Sequence, residues 1–205
     1  MSSEPRRRRP YAPRVPPDVR REQVLDAAFR VISRDGYGAV TIEAIARECG
    51  VTKPVVYGVF DSLGPLLAAL LERETGRALV ALFASLPMDD TDAPAEEFVA
   101  SSMRAWIEVI LADAETWSLV LVRRQNIPPV VWDAIEHGRE LVRGVVVELI
   151  RQRFGPAEGV DADILSMALL AMAEDFGRRL LLDADDVDVE KLVSTMQVLM
   201  AAASR

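Results

Sequence analysis

Apolar positions recur every three or four residues through most of this chain, the spacing of helices that bury one face. The run begins at Arg20 and continues to Asp35, with Leu25, Ala28, Phe29 and Ile32 on one side and Gly36 and Gly38 as its stop. Thr41 then stands as an N-cap whose hydroxyl can take a free backbone N–H, with Ala44 three positions on. Ile42, Ile45 and Ala46 form the inward face of that second helix, Gly50 breaks it, and Val51 plugs the turn. Thr52 is the predicted cap of a third, short helix with Pro54 in its first turn, where N–H groups lack helical partners. Val56 and Phe60, four apart, should face the core, which leaves Lys53 and Val55 looking outward.

Further on, Ser62 is the predicted cap of a long fourth helix running towards Phe83, with Pro65 in its first turn. Residues 87–94 read as a loop. Helical patterns follow at about 95–113, 115–126, 129–153, 163–182 and 187–203, some separated by Pro128-Pro129 and Gly155-Pro156. No strand, internal repeat or heptad array emerges. The prediction is an all-α chain.

Charge divides the chain. The whole carries −8, yet residues 1–21 hold seven Arg against Glu4 and Asp18, whereas residues 71–205 hold 13 basic and 24 acidic residues. Phosphate would be repelled by that acidic body, so any nucleic-acid contact belongs at the N-terminal end. Five prolines and the run Arg6, Arg7, Arg8 and Arg9 within residues 1–17 cannot build a core. They read as a disordered or extended arm suited to phosphates or a minor groove.

Other classes find few parts. No apolar run approaches the roughly 20 residues of a membrane span, and no apolar stretch follows the N-terminal charges as in a secretory signal. A cytoplasmic protein without a membrane partner is expected. One His and one Cys leave acid–base and thiol schemes short of components, and there is no phosphate-binding Gly loop, so no enzyme, catalytic residue, cofactor or metal is predicted. His137 beside Glu136 and Glu140 fits an exposed helix face, and Asp183, Asp185, Asp186 and Asp188 a solvated loop. Cys49 reads as a small buried residue.

Residues 41–60, TIEAIARECGVTKPVVYGVF, have the helix–turn–helix layout that sets one helix into a DNA groove. By residue type, the hydroxyls of Thr41 and Thr52 suit phosphate, Lys53 phosphate or a guanine edge, and Val55 a thymine methyl, with Pro54 and Tyr57 on the same short helix.

The order Gly-x-Gly-x-x-Thr-Ile, Cys-Gly-Val-Thr-Lys-Pro, Val-Tyr-x-x-Phe resembles the TetR family of bacterial transcriptional regulators over residues 24–67. Thr41, Ile45, Ala46, Gly50, Val51, Tyr57 and Phe60 all stand in that pattern. Leu63 replaces a frequent Lys, and Gly58 a larger residue. The resemblance implies a homodimer joined through the last two helices, a palindromic double-stranded DNA operator, a backbone contact from the Tyr57 hydroxyl, and a small-molecule effector in the C-terminal domain. It divides the chain into an arm (1–19), a three-helix helix-turn-helix DNA-binding domain (20–66) and a helical ligand-binding and dimerisation domain (67–205).

Candidate features of that last domain are two apolar stripes: Leu165, Ala168, Leu169, Met172 and Phe176, and Val189, Leu192, Val193, Met196, Leu199 and Met200. Either covers the monomer core or forms the dimer interface. An apolar or aromatic ligand pocket is expected among Met103, Trp106, Ile110, Trp117, Leu121 and Trp132, with Arg104, Arg123, Gln125, Asn126 and His137 as polar candidates. The functional expectation is a dimeric DNA-binding regulator, a repressor released by a small apolar or aromatic ligand. The alternatives are an activator, an effector-independent regulator, or a helical protein-interaction module that has lost sequence-specific DNA binding.

Overall fold

A computed structural model describes residues 15–88, 93–122, 129–154 and 161–203. The described residues are helical with short connections and contain no strand. The expected arm arginines Arg6 to Arg9, and the polar candidates Arg123, Gln125 and Asn126, lie outside them.

The first helix, α1, runs Pro17–Asp35. It starts three residues before the expected Arg20, because Pro17 at the first helical position has its φ preset and needs no N–H partner. A short 3-10 turn at Tyr37–Ala39 leads to α2, Ile42–Cys49, whose Ala44 N–H donates to Thr41 Oγ1 at 3.0 Å. Gly50 closes α2 in the left-handed region at φ 68°, and the Val51 N–H returns to the Ala46 carbonyl at 2.9 Å. Next comes α3, Lys53–Tyr57. Thr52 and Ser62 hold the cap positions of α3 and α4 (Leu63–Ser85), but neither side chain makes a capping hydrogen bond. That corrects the expected Thr52 cap: there the backbone, not the hydroxyl, enters the helix.

Five further helices follow among the described residues: α5 (Ala95–Ala112), α6 (Ala114–Leu121), α7 (Pro129–Phe154), α8 (Ala162–Leu182) and α9 (Val189–Ala203). Two cores organise them. One joins Val24, Leu25, Ala28, Ile32, Ile45, Val56 and Phe60 to Leu66, Leu67, Leu70 and Leu71 of α4, and is completed by Leu119 of α6 and Val131 and Ile135 of α7. The other gathers Ala78, Met103, Trp106, Ile107, Ile110, Trp117, Leu121 and Leu180 with Val193 and Met196. Because α4 runs through both, the N-terminal head and the C-terminal body share one rod. Cys49 is half-buried rather than buried, at the margin of the first core, with Sγ 3.7 Å from the Gln23 carbonyl.

The two terminal stripes divide differently. Val193, Met196 and Met200 of α9 are buried, and α9 lies mainly along α5, so that stripe covers the monomer core. Leu169 and Phe176 of α8 turn inward, while Ile164, Met167, Ala168, Ala171 and Met172 face outward. On α9, Val198 and Leu199 are the exposed apolar pair.

Candidate nucleic-acid interface and effector cavity

Burial of Val56 and Phe60 fixes how α3 sits, since both side chains enter the first core. The helix is anchored at one edge, and Thr52, Lys53, Pro54, Val55 and Tyr57 are all left exposed, Tyr57 by 52%. Thr41 is exposed at the start of α2. The structure thus brings all six described DNA candidates to the surface of the helix-turn-helix. Lys53, the sole cation of α3, is not free: its Nζ donates to Glu43 Oε2 at 2.7 Å. That hydrogen bond holds the Glu43 carboxyl below its ordinary range. Sequence reasoning passed over Glu43, although its place on the first turn of α2 was a readable signal.

The head is braced by charge as well as by its core. Arg30 Nε and Arg34 Nη1 of α1 reach the two oxygens of Glu48 on α2 at 2.9 and 3.0 Å. The two hydrogen bonds, Arg30's foremost, lower the Glu48 carboxyl. Arg21 stacks over the Phe60 ring, 4.5 Å from its centroid.

Head and body meet at a buried carboxylate. Glu74 of α4, only 1% exposed, accepts from Arg73 at 2.7 Å, and the Thr116 hydroxyl of α6 donates to its other oxygen at 3.4 Å. The same Arg73 donates to Glu22 and Asp26 of α1 at 2.7 and 2.8 Å. One arginine therefore ties α1 to the rod at the point where α6 also engages it.

Below this joint lies an apolar cavity of about 200 Å³, walled by α4, α5, α6, α7 and α8. Its α4 wall runs from Thr75 through Leu79, Leu82 and Phe83, with Leu86 just past the helix end, a length of roughly 16 Å at the helical rise. Met103, Trp106, Trp117 and Leu121, four of the six predicted pocket residues, line it. Trp106 and Trp117 meet edge to face with centroids 6.4 Å apart. Ile110 is fully buried but lies outside the lining, beside Gly177, and Trp132 is half-buried on α7 and also outside it. Both corrections have one cause: periodicity reports burial, not which neighbour is met.

The polar candidates are corrected too. Arg104 pairs with Glu190 of α9 at 3.3 Å, and His137 is exposed. The cavity's charged members are instead Arg139, Glu174 and Arg153. Arg139 donates to Glu174 at 2.8 Å and to Glu136. Arg153 lies 3.6 Å above the Phe98 ring and donates to the Ala93 carbonyl at 3.2 Å. Two lining residues, Thr75 and Ser102, bury hydroxyls that have no hydrogen-bond partner. Among the described residues no group of three or more His, Cys, Asp or Glu converges as a metal site would need, and no helix is long and apolar enough to cross a membrane.

Residues 24–70 match the family model described as bacterial regulatory proteins, tetR family. The chain is 27% identical over 180 residues to the HTH-type transcriptional activator FasR of Mycolicibacterium smegmatis, covering 88% of this chain and 80% of that one. Its fold is similar to that of the fatty acid degradation regulator FadR from Bacillus halodurans, with a TM-score of 0.68 at 16% identity over 88% and 94% of the two chains. It also resembles FadR from Bacillus subtilis, solved in complex with stearoyl-CoA, with a TM-score of 0.65 at 18% identity over 87% and 96%.

Proposed function

Because the chain belongs to the TetR family of bacterial transcriptional regulators and is a DNA-binding regulator, we propose that it acts as a cytoplasmic homodimer on a palindromic operator and is released from it by an effector held in the body. The observation that carries this reading is the apolar cavity against the α4 rod, which continues into the core of the DNA-binding head. An occupant that presses on the lower part of α4 has a rigid route to α1 through Arg73 and Glu74. DNA and effector then select different arrangements of the same rod, and each weakens the other's binding by the same factor.

The shape of the cavity favours an elongated apolar chain over a compact ring system. It extends about three helical turns along α4, its walls are aliphatic and aromatic, and Arg153 stands among the lining residues at the Leu86 end, where an anionic head group would find a partner. The stearoyl-CoA complex of the Bacillus subtilis regulator supports the same class, a long-chain acyl group. The unpartnered Thr75 and Ser102 hydroxyls offer hydrogen bonds to a polar group within such a molecule. Met103, Trp106, Trp117 and Leu121 form its apolar bed.

The outward apolar face of α8, with Val198 and Leu199 of α9, supports the homodimer, since exposed Ile164 and Met167 favour a partner surface. At the DNA, Thr41, Thr52, Lys53, Pro54, Val55 and Tyr57 form the reading surface, and Arg6 to Arg9 add phosphate contacts. Repression is the proposed direction; similarity to an activator at 27% identity favours activation as the second reading.

The test is selection of bound fragments from random duplex DNA by the purified chain, followed by titration of that complex with stearoyl-CoA and shorter acyl-CoA compounds. A two-fold symmetric site whose complex dissociates on titration is expected. An asymmetric site would overturn the homodimer, and a complex indifferent to every chain length would overturn the effector class. A promoter fused to the selected site then separates repression from activation.

A further inference from the structure

We propose that Glu43 competes with DNA phosphate for Lys53 and so holds down the affinity for every duplex sequence alike. This rests on the reading that α3 faces DNA, and it assigns a role to a carboxylate on the neighbouring helix. Three observations carry it.

The first is position. Glu43, on the first turn of α2, is exposed like Thr41, Thr52, Lys53, Val55 and Tyr57, the residues of the reading surface. A carboxylate there meets phosphate as a like charge. The second is geometry. Lys53, the sole cation of α3, donates from its ammonium to Glu43 Oε2 at 2.7 Å. As an ion pair the two carry no net charge. A phosphate brought beside them is not neutralised and keeps its counterions, and it gains a partner only when Lys53 leaves Glu43. The Lys53 and Glu43 side chains are 50% and 69% exposed, so that exchange is a rotamer change in solvent and disturbs no core.

The third is the neighbouring charge. Arg47, one turn further along α2, is exposed and adds its field to the same carboxylate. Two cations and one carboxylate give Glu43, Arg47 and Lys53 a net charge of +1, and loss of the carboxylate alone doubles it. Glu48 on the same helix is different, because it accepts from Arg30 and Arg34 and so ties α2 to α1. The partner of Glu43 is an exposed side chain on the reading helix itself. Every sequence presents the same phosphates, so the competition scales all affinities and leaves base preference to other residues of α2 and α3.

Glu43→Gln removes the charge and keeps the size of the side chain. That variant, Lys53→Met and the double variant, each verified as folded by circular dichroism, should be titrated against the selected site and an unrelated duplex at several salt concentrations. Glu43→Gln should tighten both complexes by the same factor, roughly 2- to 5-fold for each pair released. It should also steepen the logarithmic salt slope by about 0.9 for each lysine that gains a phosphate. Lys53→Met should cost little in the wild type and cancel most of the gain in the Glu43→Gln background, the coupling of two groups that compete for one ammonium.

Weaker or unchanged DNA binding by Glu43→Gln overturns the proposal, and weaker binding makes the pair a brace that presents Lys53. A gain confined to the selected site overturns it too, since it places the pair at a base. So does a gain of equal size with and without Lys53, which would be a like charge acting alone. Thr52→Ala combined with Tyr57→Ala tests the premise separately: wild-type DNA binding by that protein would show that α3 is not the contacting helix, whatever the charge variants do.

Discussion

Gly177 offers a sharp test of how the cavity wall is packed. It is buried in α8, and a Cβ placed there would lie 2.4 Å from Trp106 Cη2, 2.8 Å from Ile110 Cδ1 and 2.9 Å from Leu121 Cδ1. Carbon atoms prefer about 3.5–4.0 Å, so all three contacts are severe. Two effects oppose each other in Gly177→Ala. Helix propensity favours the alanine by about 1 kcal/mol. Overpacking a well-filled core costs about 1–3 kcal/mol, and the three obstructing atoms come from two other helices, so none retreats without disturbing the rest. The net expectation is a loss of about 1 kcal/mol, which for a chain of this length lowers Tm by about 2–4 °C. Thermal unfolding followed by circular dichroism measures it. The decisive control is Trp106→Phe, which removes the closest atom and opens space beside the other two; in that background the alanine should cost clearly less, a positive coupling between the sites. A rise in Tm of the Gly177→Ala protein in the wild-type background would show that Trp106 does not rest on Gly177, and would refute this description of the wall.

Two further outcomes are expected. Glu48, with its carboxyl lowered by Arg30 and Arg34, stabilises the head fully above the ordinary value of 4.5 and loses that contribution as pH falls through the lower folded value, so the Tm gap between wild type and Glu48→Gln should narrow from about pH 6 to about pH 3. Deleting residues 1–14 removes five arginines and should flatten the salt dependence of DNA binding by about 0.9 in logarithmic slope for each one that sits on a phosphate, a change read from binding curves at several salt concentrations; an unaltered slope removes the arm from the interface.

The head was legible in the sequence because its determinants are local. Thr41 needs a partner three residues on, Gly50 supplies a positive φ at a single position, and Val56 and Phe60 share a face by spacing alone. The body was legible only as a set of helices. Its stripes announced burial at Met196 and Phe176 without saying whether a neighbouring helix or a second subunit covers them, and in α9 the neighbour is α5. The charged cavity members were hidden for the same reason. Arg139 meets Glu174 across 35 residues and Arg153 meets Ala93 across 60, while Arg104, similar in composition and closer to the tryptophans, is taken by Glu190. No periodicity encodes such pairings, since they arise only when α7 packs on α8 and α5 packs on α9.

The core of the head borrows Leu119, Val131 and Ile135 from helices that belong to the body. Exchange of heads between relatives, by recombination or in the laboratory, therefore cannot treat residues 20–66 as a cassette. A graft that ends at α4 leaves three buried contacts behind in the donor and sets foreign side chains against α1 and the first half of the rod. Viable chimaeras must carry those three positions along or find hosts whose α6 and α7 already fit. The packing of the head and that of the body are thereby inherited together, and changes to the head that leave the body intact come more readily from point substitutions on the exposed faces of α2 and α3 than from shuffling.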